Sequence, residues 1–108
     1  MSAEPKEKKL FEVIPSADIV EENDKATVYF EVPGANAQSV NVEVKNSTLT
    51  VEAESCLERY GKKILFKRSF ELSDAVDVEN IKATTQDGIL KLMIPKSESA
   101  QVKKIPVE

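Results

Sequence analysis

The sequence predicts an all-β fold, an antiparallel sandwich. Short segments in which apolar and polar residues alternate follow one another at regular spacing, with turn residues between them. No stretch shows a helical period of useful length. The three glycines fall at expected turns or loops, and the five prolines at strand ends or in tails, so local and global signals agree.

Taken in order, residues 1–14 read as a short flexible N-terminal arm. Residues 4–9 are charged, and beyond Met1 only Leu10, Phe11, Val13 and Ile14 offer sizeable apolar side chains. Pro15-Ser16 opens the domain. Residues 18–21 read as a short strand, and Glu22-Asn23-Asp24-Lys25 as a turn. Ala26, Val28, Phe30 and Val32 then share one face of a strand that Pro33-Gly34 stops. Residues 35–39 form a connector with room for one helical turn.

Val40, Val42 and Val44 alternate with Asn41 and Glu43, and after a turn at Lys45-Asn46-Ser47, Leu49, Val51 and Ala53 do the same. That spacing suits an antiparallel hairpin. Residues 55–63 are charged, contain Gly61, and read as a loop. In the next strand Phe66, Arg68, Phe70 and Leu72 share a face. Residues 73–80 are polar, with Val76 and Val78 as small anchors. The strongest hairpin signal is Asp87-Gly88, because a two-residue turn wants positive φ at its centre. Ile81 and Ala83 precede it; Leu90, Leu92 and Ile94 follow on one face. Pro95 ends the domain at residues 15–95, and residues 96–108 read as a flexible C-terminal tail.

The chain has 108 residues, enough for one core. Its 15 bases are interleaved with 19 acids, giving a net charge of −4 and arguing against a nucleic-acid surface. No apolar run approaches the ~20 residues of a membrane span. One cysteine, Cys56, excludes an intramolecular disulfide. There is no histidine, no cysteine cluster and no calcium-type loop, so acidic pairs such as Glu21-Glu22 or Glu52 with Glu54 read as solvated faces. No cofactor, metal or catalytic residue is expected, and the setting expected is reducing and cytoplasmic.

Several motifs in order resemble the α-crystallin domain of the small heat-shock proteins. They are Ala17-Asp18-Ile19, Val32-Pro33-Gly34, Leu49-Thr50-Val51, Phe66-Lys67-Arg68-Ser69-Phe70, the run Ala83 to Leu90 around Asp87-Gly88, and the terminal Ile105-Pro106-Val107. The resemblance implies an immunoglobulin-like β-sandwich of seven or eight strands. It implies ATP-independent holding of partly unfolded client proteins, without catalysis, and self-association as a dimer or small oligomer. The alternative is a CS-domain-like co-chaperone or adaptor with one dedicated partner.

The terminal motif also has a physical reading. Ile105 and Val107 lie two apart, so an extended backbone points them the same way, and Pro106 biases the segment toward extension. They read as two knobs for a sheet-edge groove, with the linker before them long enough to reach away from its own domain. The resemblance places that groove between Val42 and Val44 on one side and Ile81 and Ala83 on the other. Burying two such side chains contributes roughly 3–6 kcal/mol before association costs, so one tail in one groove is weak and several linked contacts are needed.

The resemblance also carries departures. The N-terminal arm is short, which predicts a small oligomer. The loop expected at residues 55–63 is too short for a full strand swapped into a partner. A dimer by edge pairing along an extended strand leading into Ile64 is one alternative, and a monomer another. Arg68 matches the arginine near the family's dimer contact, and equally fits a sandwich rim where it pairs with an acid. Cys56 reads as a lone loop thiol, or as a disulfide between chains if that loop lies at a dimer axis.

Overall fold

The computed structural model describes residues 10–108. Over them run eight strands: β1 (Leu10–Val13), β2 (Ala17–Glu21), β3 (Lys25–Glu31), β4 (Val40–Lys45), β5 (Thr48–Arg59), β6 (Lys62–Glu71), β7 (Lys82–Gln86) and β8 (Ile89–Pro95). They form two four-stranded sheets, in the orders β1-β6-β5-β4 and β2-β3-β8-β7. All pairs are antiparallel except β1 with β6. The expected sandwich is the observed one.

Its core is the alternation made solid. Val28, Phe30 and Val32 come from the β3 segment, Leu90, Leu92 and Ile94 from β8. Register places Phe30 opposite Leu90 and Val28 opposite Leu92, so these side chains share the inner face. From the other sheet come Leu49, Val51 and Ala53 of β5 with Ile64 and Phe66 of β6. The Phe30 and Phe70 rings stack across the two layers with centroids 6.2 Å apart.

Three tight hairpins set the registers. Asp87 and Gly88, at φ 53° and 79°, turn β7 into β8. Asn46 and Ser47 do the same between β4 and β5, and Tyr60 and Gly61 between β5 and β6, again with positive φ at both central residues. These are the mirror-image turns whose twist matches that of the strands they join.

Five expectations are corrected. Residues 55–63 are not a loop: β5 and β6 continue through them as one long hairpin with a two-residue turn. This arm is charged and mostly exposed, so it carries no hydrophobic alternation to read, and Tyr is an unusual residue for the first turn position. Leu10–Val13 is not a loose tail but strand β1, because the parallel edge of β6 satisfies its backbone. The expected arm at residues 1–9 lies outside the described residues. The connector at 35–39 is a turn rather than helix: Asn36 Oδ1 accepts from the amides of Gln38 and Ser39. Of the two small anchors, Val76 packs on the core and bridges to Lys96, while Val78 is exposed.

The fifth correction concerns the C-terminal segment, which is tied down well past Pro95. The Lys96 amide donates to Asp24 O at 2.8 Å and the Ser97 amide to Ala75 O at 2.6 Å. A 3-10 turn follows at Glu98–Ala100, and the Val102 amide donates to Asn23 Oδ1 at 2.8 Å.

Candidate tail-accepting groove

β4 is the edge strand of one sheet and β7 the edge strand of the other. Between them runs a groove of about 220 Å³ lined by Ala37, Val40, Val42, Ala83, Thr84, Thr85 and Leu90. Ala83 and Thr85 face Leu92 and Leu90 in register, so they look inward. Being small, they leave the space between the two edges unfilled. Leu90, fully buried, belongs to the core and to the groove lining alike.

Of the four side chains expected to form this groove, the structure brings Val42 and Ala83 together. Val44 and Ile81 are half-buried against the core, as Val42 also is, but neither reaches the groove lining. Ile81 lies before β7, closing the 3-10 turn at Val78–Asn80, and so falls short of the groove. Sequence reasoning missed Ala37, Val40, Thr85 and Leu90 as lining. Thr85 was legible by alternation from Ala83; Ala37, on a connector, carried no periodic signal.

Aliphatic groups, two threonines and no titratable side chain line the slot. Such a surface has nothing to offer a reacting group, but it suits aliphatic side chains presented two residues apart by an extended chain. Ile105 and Val107 are 79% and 94% exposed and stand outside any strand. They are therefore available to a partner surface.

Arg68 lies opposite Val51, so its stem starts on the inner face of β6. Its Nη1 donates to the Pro15 carbonyl at 3.1 Å, linking this sheet to the segment that leads into the other. The acceptor is a backbone carbonyl rather than an acid. β1 also bears on the edge-paired dimer considered above. The extended strand leading into Ile64 exists, but β1 lies on its edge, with Leu10 opposite Lys63 and Val13 opposite Phe66. Phe11 packs edge-on to Tyr60 at 5.5 Å, and Arg59 lies 5.4 Å from the centre of the Phe11 ring.

Cys56 is exposed and free, in a bulge of β5 rather than a loop. The acidic side chains are partly ion-paired. Glu52 meets Lys67 at 3.3 Å and Glu21 meets Lys96 at 3.5 Å. Lys25 is raised above its usual pKa, first by its hydrogen bond to Glu22 and then by the charges of Asp24 and Glu22. These are surface pairs, of the kind that solvent screens. Among the described residues no group of His, Cys, Asp and Glu is arranged to hold a metal ion, and no helix is long and apolar enough to cross a membrane.

Comparison with known proteins agrees with this architecture. Heat shock protein 16.0 from Schizosaccharomyces pombe superposes with a TM-score of 0.69 at 28% identity, over 89% of this chain and 99% of that one. An 18 kDa antigen of Mycobacterium avium is 32% identical over 98 residues, which are 83% of this chain and 71% of that protein. Small heat shock protein C4 of Rickettsia felis is 30% identical over 106 residues, 86% of this chain and 63% of that protein. The family model for the Hsp20/alpha crystallin family matches residues 18–108, from the second residue of β2 to the end of the described tail. The chain belongs to the Hsp20/alpha crystallin family of small heat-shock proteins.

Proposed function

We propose that the protein is an ATP-independent holdase that binds partly unfolded proteins and assembles through its own C-terminal motif. The single observation that carries this reading is the pairing of complementary features on one chain. An apolar groove lies between β4 and β7, and two exposed aliphatic side chains sit two residues apart at the tail. Ile105 and Val107 enter the groove of a neighbouring copy, with Pro106 holding the segment extended. Val42 and Ala83 form opposite walls. The assembly is a dimer or small oligomer, because one docked tail is weak and linkage between copies is needed to hold it. The partners are exposed apolar segments of client proteins, not nucleic acid or lipid; the reaction is binding without catalysis, and the setting is the cytoplasm.

The family match sets aside the adaptor alternative. A light-scattering assay with a heat-labile client, without nucleotide, tests the activity. Suppressed aggregation at near-equimolar protein is the expected result. No suppression at several-fold molar excess would overturn the holdase reading.

A further inference from the structure

The tail before the motif is not the free linker that its polar composition suggests. Lys96 is fixed three times at the β2–β3 turn. Its amide meets Asp24 O, its Nζ meets Glu22 O at 2.9 Å, and the same Nζ lies 3.5 Å from Glu21 Oε1. Six residues further on, Asn23 of the same turn accepts the Val102 amide. From Val102 onward every residue is exposed, and beyond the Val102 amide no hydrogen bond among the described residues returns to the domain.

We propose that Asn23 is a clamp that aims the motif away from its own domain, so that Ile105 and Val107 dock on a second copy and not in cis. This rests on the tail-docking reading above. The argument is one of reach. From Val102 to Ile105 the chain spans three residues, roughly 10 Å when fully extended. The turn holding Asn23 precedes Lys25, which pairs with Pro95 at one end of β8. The middle of the groove lies at Thr84, level with Lys91. That is four residues away, roughly 14 Å along the strands. It also lies across β3 and β8 to β7, roughly 12 Å at the usual strand spacing. The separation is therefore about 18 Å, nearly twice the free reach. Without the clamp the tether starts at Ser97, and eight residues span roughly 27 Å, enough to fold back. The clamp thereby removes the intramolecular competitor, which a short tether would otherwise favour through its high effective concentration.

The test uses the full chain with two single variants and one deletion, read by native mass spectrometry and by amide hydrogen exchange. Asn23→Ala removes the acceptor. Val102→Pro removes the donor and leaves the turn untouched. In the parent chain the Val102 amide is protected from exchange; in Asn23→Ala that protection falls by about fivefold, as for the loss of one ordinary hydrogen bond. Both variants shift the mass distribution toward smaller species, because a released tail occupies its own groove. Deleting residues 105–108 separates the two ideas. If the deletion leaves the mass distribution unchanged, tail docking fails and the clamp has nothing to aim. If the deletion dissociates the assembly while both variants keep the parental distribution, docking stands and the clamp is overturned.

Discussion

Ser55 Oγ donates a 2.7 Å hydrogen bond to the carbonyl of Pro33, 22 residues away. The same oxygen accepts from the Leu57 amide at 2.9 Å, and the neighbouring Cys56 amide donates to Gly34 O at 2.9 Å. Ser55 is buried, so its hydroxyl is satisfied twice where water does not reach. This is what the β5 bulge between Glu54 and Glu58 accomplishes. It turns Ser55 into the gap beside Pro33-Gly34 and locks the base of the long hairpin onto the opposite layer. Gly34 stands at φ +86°, and a Cβ there would collide with Ser55 Oγ.

Ser55→Ala therefore leaves the Pro33 carbonyl and the Leu57 amide without their shared side-chain partner. A loss of about 1–3 kcal/mol in a urea melt is expected. Gly34→Ala is expected to cost at least as much, since it combines the collision with a left-handed backbone. A Ser55→Ala variant melting like the parent would show that the bulge is held by backbone bonds alone.

Filling the groove should mimic removing the tail. Ala83→Phe places a ring between β4 and β7 from an exposed edge position, so the sandwich itself should tolerate it. The expected result is the same loss of assembly as deletion of residues 105–108, with an unchanged far-ultraviolet circular dichroism spectrum. Normal assembly in the filled variant would remove the groove as the docking site.

Arg68 joins β6 to the Pro15 carbonyl within one chain. Arg68→Met keeps most of the apolar stem and removes the charge-assisted bond. A loss of about 1.5–3 kcal/mol is expected, independent of protein concentration, when measured by chemical denaturation over a hundredfold dilution range. A loss that appears only at concentrations where the chain self-associates would assign Arg68 to a contact between copies instead.

Strand β1 and an edge-paired dimer compete for the same backbone groups of β6, over Lys63–Phe66. Removing residues 1–13 uncovers that edge, and an uncovered edge is a template for another chain. Stronger concentration-dependent association is expected by sedimentation velocity. Weaker association would show instead that this segment contributes contacts of its own to the assembly.

What the sequence alone determined here is everything carried by period and by local turn chemistry. The alternation Val28-Phe30-Val32 and Leu90-Leu92-Ile94 placed the core, because side chains two apart in a strand must share a face. Asp87-Gly88 placed a hairpin, because few residues accept that backbone. Ile105-Pro106-Val107 declared an extended, two-pronged end. The tertiary structure decided which edges face each other. Val42 meets Ala83 across a groove that Val44 and Ile81 do not reach, a matter of where each strand begins relative to a strand in the other sheet. Ser55 to Pro33, Arg68 to Pro15 and Val102 to Asn23 join residues 22, 53 and 79 positions apart. A polar side chain in the sequence shows that it needs a partner, but not which backbone the fold will bring within hydrogen-bond distance of it. The charged hairpin arm at residues 55–63 was illegible for the complementary reason: apart from Ser55 its residues are exposed, and beyond the bulge it is held by the pairing of Glu58 and Arg59 with Lys63 and Lys62, with no buried face to impose a pattern.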